Sequence, residues 1–329
     1  MSRRRPGRCG PINWWRLDDT TRELLLSALS QSPSPYDDFE AYVAWIVKQV
    51  ALLPDPLVAF LLNFRNHPRA SGALHIANLP TDPVLPATPE GDVVRLKESF
   101  VSEGCLTLFG SVIGQVFSYR AEKNGAFFHN VKPTRVGLTT RSNAGSLVDF
   151  DDHVEAAFDP LSPNHLALYC LRADHECRAL TTIGDARLAC ELLCPEQVEA
   201  LRRPDFQIRA PESFRANLQA AEWSEPLAVL SGPADAVELR VNFNHMRALN
   251  SAGEQALQAL HNALHAPEAM AEVALQPGAM LIINNRVCVH GRKPFVPRFD
   301  GRDRWLQRVY LRADLWPGRA RANESLRVF

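Results

Sequence analysis

LVDFDDHVEAAF, Leu147 to Phe158, sets an imidazole and a carboxylate one residue apart, His153 and Glu155. Read as a strand, it projects both from one face and Val154 from the other, because strand side chains alternate with period 2. A His and an acid side by side on a rigid strand are two thirds of a facial triad for non-haem Fe(II), which also needs a distant His. The pair alone carries little weight. With 10 His and 37 acidic residues in the chain, about one H-x-[DE] arises by chance. The decision rests on residues far downstream.

The bulk properties narrow the field. A chain of 329 residues can bury a substantial core. With 46% hydrophobic and 22% charged residues, it has the balance of a soluble globular protein. A net charge of −1 and a pI near 6.8 argue against nucleic acid or an anionic membrane as partner. The seven cysteines are odd in number and lack C-x-x-C spacing, so they are expected as reduced thiols in a cytoplasmic protein. MSRRRPGRCGPINWW, residues 1–15, is basic with no apolar stretch after it, which predicts a flexible tail and no signal peptide. No run of 18 apolar residues occurs, so no membrane span is expected.

DTTRELLLSA (Asp19 to Ala28) and FEAYVAWIVKQVALL (Phe39 to Leu53) carry apolar residues at helical spacing behind Asp caps. PLVAFLLNF (Pro56 to Phe64) and ALHIANL (Ala73 to Leu79) are expected as buried strands, and Val94 to Phe117 as a long helix buttressing a sheet. Short strands follow in AFFHNV, SLVDFDDHVE, HLALYCLR and ALTTI. Between about 185 and 265 helical pieces surround short strands, which we take as an insertion into a single domain spanning 16–329, because the site-like residues flank it on both sides. Strands return in VALQPGAMLIINNRVCVHGR, with Asn284-Asn285 at a tight turn.

His290 closes that last apolar run, beside Gly291, where backbone can approach a metal closely. Arg304 follows fourteen residues later and Arg308 four beyond it. Period 2 places Arg304, Leu306, Arg308, Tyr310 and Arg312 on one face of a strand. Buried arginines need carboxylates, since an unpaired buried cation is costly. Those carboxylates belong to a ligand or to the protein's own Asp and Glu.

HVE at 153–155, HLALYCLR at 165–172 followed by Thr181-Thr182, and His290 with Arg at +14 and +18 together resemble the clavaminate synthase-like branch of Fe(II)/2-oxoglutarate oxygenases. That branch includes asparagine, arginine and lysine hydroxylases acting on free amino acids. The resemblance spans roughly Ser99 to Ala313. It implies an α+β fold, a double-stranded β-helix (jelly-roll) core with an N-terminal helical layer and a mixed helical insertion. It also implies Fe(II) held by His153, Glu155 and His290, with 2-oxoglutarate and O2 as cosubstrates. Arg304 then takes the far carboxylate of 2-oxoglutarate, supported by the Thr181 hydroxyl, and Arg308 the α-carboxylate of an amino acid. Glu122 falls where the family uses Glu or Gln near the substrate amino group, and Asn143 in its polar substrate-binding run.

The donor set agrees with that chemistry: two imidazoles and one carboxylate leave three facial positions, two for the 2-oxo acid and one for O2. Retention of Glu155 leaves no place for halide, so chlorination is disfavoured. Two departures bear on substrate. HVEAAF stands where the family reads HTEDAF, and RVNFNHM places Asn242 and Asn244 where arginine hydroxylases carry two acids. Neutral amides suit a compact ammonium, a carboxylate or an amide better than a guanidinium fork. The expected activity is hydroxylation of a β or γ C–H of a polar L-amino acid, lysine first, in specialised metabolism. The alternatives are desaturation or cyclisation at the same iron, Asn, Asp, Arg or a carrier-tethered amino acid as substrate, and a metal-free binding protein of the same fold. His129, His165 and His245 read as structural or surface residues, and HECRAL at 175 shows no metal-ligand partner.

Overall fold

A computed structural model of the protein describes residues 10–91, 97–140, 145–211, 214–215, 222–322 and 325–329. Its strands, in chain order, are β1 (Ile12–Arg16), β2 (Ala73–Ala77), β3 (Gln115–Phe117), β4 (His129–Val131), β5 (Phe150–His153), β6 (His165–Arg172), β7 (Thr181–Asp185), β8 (Phe206–Ile208), β9 (Leu230–Ser231), β10 (Glu238–Leu239), β11 (Met246–Ala248), β12 (Met270–Val273), β13 (Met280–Asn284), β14 (Cys288–Arg292) and β15 (Trp305–Arg312). The helices are α1 (Asp19–Leu29), α2 (Phe39–Lys48), α3 (Asp55–Asn66), α4 (Val101–Ile113), α5 (Ala186–Ala189), α6 (Pro195–Leu201) and α7 (Ser251–Leu264).

A seven-stranded sheet runs β1-β2-β13-β6-β15-β3, with β4 also paired to β15. A four-stranded sheet runs β12-β7-β14-β5, antiparallel throughout. The larger sheet is apolar on both faces, which explains why its strands read as continuous hydrophobic runs. Met280, Ile282, Tyr169, Leu171, Val309 and Leu311 face one way, into a cluster shared with α1 to α4. Leu281, Ile283, Leu166, Leu168, Leu306 and Tyr310 face the other, toward Ile183, Val273 and Cys288 of the smaller sheet. A third cluster joins the 185–264 region to Val154 and Val289, the residues beside two of the candidate metal ligands.

Four expectations are corrected. Pro56 to Phe64 is not a strand but lies in α3, where Leu57, Leu61 and Phe64 are buried at helical spacing and proline occupies the first turn. The 94–117 helix is shorter, Val101–Ile113; Gly114 ends it and 115–117 become β3, while 92–96 lie outside the described residues. Within the tail expected over 1–15, Ile12–Trp15 are instead ordered, because Ile12–Arg16 pair in parallel with β2 as an edge strand; residues 1–9 lie outside the described residues. The strand at 147–158 covers only Phe150–His153. Among the described residues no single helix is long and apolar enough to cross a membrane.

Candidate active site

His153 ends β5 and His290 sits at the centre of β14, as direct register partners. Their rings lie 4.5 Å apart between centroids, tilted by 44°. Glu155 does not share the pleat with His153. The chain leaves β5 and enters a turn in which Ala156 has φ 49°, and that turn, not strand alternation, presents the carboxylate. Its Oε2 lies 3.8 Å from His290 Nε2. Ligand atoms of His153, Glu155 and His290 all fall within 4.8 Å of one another. Burial, reinforced by His153 and Arg308, holds His290 well below the usual histidine range, so it is a neutral imidazole with a lone pair to give.

Asn285 builds the turn that carries Glu155. Its Oδ1 accepts from Glu155 N at 2.8 Å, and its Nδ2 donates to Glu155 O at 3.1 Å and Pro163 O at 2.9 Å. The sequence marks Asn285 only as a turn residue; its partners lie 130 and 122 positions away, beyond the reach of any local signal.

Arg308 on β15 and Arg304, the residue just before that strand, have different company. Arg308 donates from Nη1 to Glu155 Oε2 at 2.6 Å, and from Nη2 to Glu122 Oε1 at 2.8 Å and to His129 Nδ1 at 2.9 Å. Tyr310 completes the group, its hydroxyl donating to Glu122 Oε2 at 3.0 Å. Burial alone would raise the Glu122 pKa, but Arg308 foremost, with the Tyr310 hydroxyl, outweighs it and holds the carboxyl below its usual range. The same carboxylates push Arg308 upward against burial. Arg304, also buried, donates to Thr181 Oγ1 at 3.3 Å and has no carboxylate at ion-pair distance among the described residues. So Arg308 pairs with the protein's own acids and Arg304 does not. Arg292, which sequence inspection passed over, lines the same cavity as Thr181, His290, Arg304 and Arg308. It donates to Val148 O at 3.1 Å and to Gly145 O, and burial with the nearby Arg304 brings its pKa down to about 10.

Asn242 meets the site through the backbone, forming an antiparallel bridge with His153. Asn244 follows in the adjoining turn. Asn143 lies outside the described residues. His175, expected to lack ligand partners, comes within 4.8 Å of Asp300 and Asp303 by ligand atoms. Asp303 is already committed there, accepting from Arg298 N at 2.7 Å and Phe299 N at 2.6 Å.

Residues 86–310 match the family described as taurine catabolism dioxygenase TauD, TfdA family. The chain belongs to the TauD/TfdA dioxygenase family. Over 268 residues, 80% of this chain and 74% of the relative, it is 34% identical to L-lysine 3-hydroxylase of Catenulispora acidiphila. It is 33% identical to clavaminate synthase 2 of Streptomyces clavuligerus over 89% of this chain and 90% of that one. Among solved structures, asparagine oxygenase in complex with Fe(II), 2S,3S-3-hydroxyasparagine and succinate superposes with a TM-score of 0.88 at 31% identity, covering 96% of this chain and 98% of the other.

The dioxygenase's own residues fit a ferrous ion on donor chemistry. Two imidazole nitrogens and one carboxylate oxygen converge from β5, the following turn and β14, the nitrogen–oxygen set that suits a facial Fe(II) site. Arg308 holds Glu155 Oε2, the kind of outer partner that orients a ligating carboxylate. The cavity beside the triad holds Arg304 and Arg292 with no carboxylate partner among the described residues, a charge balance that calls for an anion.

Proposed function

We propose that this dioxygenase binds Fe(II) through His153, Glu155 and His290 and uses 2-oxoglutarate and O2 to hydroxylate the β or γ carbon of a free polar L-amino acid, lysine first. One observation carries the substrate class: Arg308 and Glu122, 2.8 Å apart beside the triad, offer a guanidinium and an ionised carboxylate together. That is the complement of an amino-acid zwitterion. Arg308 Nε lacks a hydrogen-bond partner, so the guanidinium still has a donor for a substrate carboxylate. Glu122 has the lone pairs to receive an ammonium while keeping its contacts to Arg308 and Tyr310.

When bound, iron with 2-oxoglutarate and O2 supplies the oxidising power that turns an unactivated C–H into C–OH. The protein places the substrate. Arg304, with Thr181 at its side, takes the far carboxylate of 2-oxoglutarate in a bidentate pair, and Arg292 adds positive field to the same cavity. Arg308 and Glu122 fix the backbone end of the amino acid, so a near carbon faces the metal and the side-chain end extends toward Asn242 and Asn244. Asn143 belongs to the same proposed substrate surface. We place the activity in a cytoplasmic enzyme of specialised metabolism, one oxygenase domain over 16–329 with 185–265 as its insertion and a double-stranded β-helix core under the N-terminal helices. The similarity to a lysine 3-hydroxylase and to an asparagine oxygenase supports the substrate class.

The test is a screen of the twenty amino acids with Fe(II), 2-oxoglutarate and O2, followed by mass spectrometry for one added oxygen or two lost hydrogens. An added oxygen on lysine is expected; loss of two hydrogens would assign desaturation, and no turnover of any free amino acid would overturn the reading. Arg304→Lys keeps charge but loses the fork, and should weaken 2-oxoglutarate by about 1–3 kcal/mol. Arg308→Lys should raise KM for the amino acid instead.

A further inference from the structure

We propose that His129 is the residue that positions Arg308 for the substrate carboxylate. The inference rests on the proposed role of Arg308. Its physical basis is the hydrogen bonding around one buried ring.

His129 on β4 and Arg308 on β15 are direct register partners. His129 is 4% exposed, and its two ring nitrogens have opposite partners. Nε2 lies 2.9 Å from Ala126 O, which can only accept, so Nε2 carries the hydrogen. Nδ1 lies 2.9 Å from Arg308 Nη2, which can only donate, against 3.5 Å from Glu122 Oε1, so the shorter contact has Nδ1 present its lone pair to Arg308. Both contacts select the same neutral tautomer. Tyr310 locks the ring from the side, edge to face at 5.3 Å and 79°.

The other two partners of Arg308 have tasks of their own. Glu155 serves the metal, and Glu122 serves the substrate ammonium. Each must accommodate a cation that comes and goes, and their hold on Arg308 changes with it. His129 has no such second duty: its remaining nitrogen is spent on the backbone. It is the fixed acceptor that keeps the guanidinium in the plane of the cradle when substrate and metal occupy the other two. A neutral acceptor also suits the task electrostatically. It aims Arg308 without cancelling the positive charge that a substrate carboxylate must meet, as a third carboxylate would. Sequence inspection classed His129 as bland because its meaning lies in a residue 179 positions away.

The experiment uses the iron-loaded full chain and whichever of L-lysine, L-asparagine, L-arginine and L-ornithine the wild type turns over. Three variants are compared: His129→Ala, His129→Asn, whose amide oxygen can stand where Nδ1 stood, and His129→Gln, which is longer and does not place an acceptor there. His129→Ala and His129→Gln should raise the amino-acid KM about tenfold or more while KM for 2-oxoglutarate stays within about twofold, and His129→Asn should recover most of the loss. In an Arg308→Lys background, His129→Ala should add nothing further, because the two act as a unit. Should His129→Ala not fold, the Asn-against-Gln comparison decides alone. Equal effects of Asn and Gln, a shift in both KM values together, or losses additive with Arg308→Lys would each overturn the proposal. If Arg308→Lys itself leaves the amino-acid KM unchanged while turnover persists, the role of Arg308 falls and the inference falls with it.

Discussion

Four residues apart, Arg304 just before β15 and Arg308 within it show how a buried charge discloses its task through its partners. Arg308 is ion-paired with Glu155 and Glu122 and hydrogen-bonded to His129, whereas Arg304 has one hydroxyl at 3.3 Å and no carboxylate among the described residues. A buried cation left so is held at a cost of several kcal/mol until an anion arrives. The same reasoning separates the metal ligands from the core. His153 and His290 are buried, yet the clusters flanking them are built from aliphatic and aromatic neighbours that do not depend on either ring. His153→Ala or His290→Ala should therefore abolish iron binding and turnover with only a modest change in melting temperature, as measured by iron analysis and thermal melts of the same preparation. Near-normal activity with added Fe(II) in either variant would remove that residue from the triad. At this scale the sequence was legible where residue type and spacing are unusual together, as in His290 with Arg at +14 and +18. It was silent on Asn285, His129 and Arg292, whose roles are defined by contacts across the fold.

At the scale of elements, strands proved easier to read than the joints between them. β6, β13 and β15 are buried on both faces, so they stand out as unbroken apolar runs. That same rule misassigned Pro56 to Phe64, because a short apolar run fits a buried strand and a helix stripe alike; burial at 57, 61 and 64 settles it as helix. Glu155 was placed beside His153 by strand alternation, and the structure reaches the same neighbourhood by a turn that Asn285 holds. Spacing was right there and its cause was not. The smaller sheet carries a second constraint invisible in the chain: a Cβ on Gly184 would sit 2.9 Å from Val289 Cγ2 and 3.3 Å from Leu264 O. Gly184 thus lets α7 close over β7 and β14 immediately beside His290. Gly184→Ala should cost about 1–3 kcal/mol of stability through overpacking, read by chemical denaturation. Because Val289 is stiff and adjoins His290, iron affinity should fall as well. Unchanged stability would mean the helix end moves aside freely.

The whole molecule joins two sheets and an insertion around one small volume, and both stability and selectivity follow from that joint. In the larger sheet, burial with help from Arg286 and Arg65 brings the His165 pKa down to about 3, against about 6.5 when unfolded. Between those values the unfolded chain takes up a proton that the folded one refuses. Stability therefore falls as pH drops below about 6.5, at up to about 1.4 kcal/mol per unit, until the folded group titrates near 3. His165→Phe, stacking beside Phe64, should lose about 2 kcal/mol less than wild type between pH 7 and pH 5 in denaturant titrations; parallel losses would show that His165 is charged in the fold. Selectivity, in the proposed function, belongs to the 185–265 region. Val154 N donates to Val241 O at 2.9 Å and Asn242 bridges to His153, so the 241–242 backbone is tied to the metal-bearing segment and the turn at 243–244 follows it. In the proposed binding mode the far end of the substrate side chain meets these asparagines, which offer both an acceptor and a donor and do not prescribe the sign of the charge they meet. An ammonium can turn its three donors onto scattered carbonyl oxygens, whereas a guanidinium needs a matched fork, which ranks lysine ahead of arginine. Asn244→Asp adds one negative charge at a half-buried position. It should favour cationic over acidic side chains by about tenfold or more in kcat/KM, with KM for 2-oxoglutarate unchanged, because a charge pair in such surroundings is worth several-fold more than in water. Competition among lysine, arginine, asparagine and aspartate on both forms measures the shift, and an unchanged order of preference would show that Asn244 does not reach the substrate.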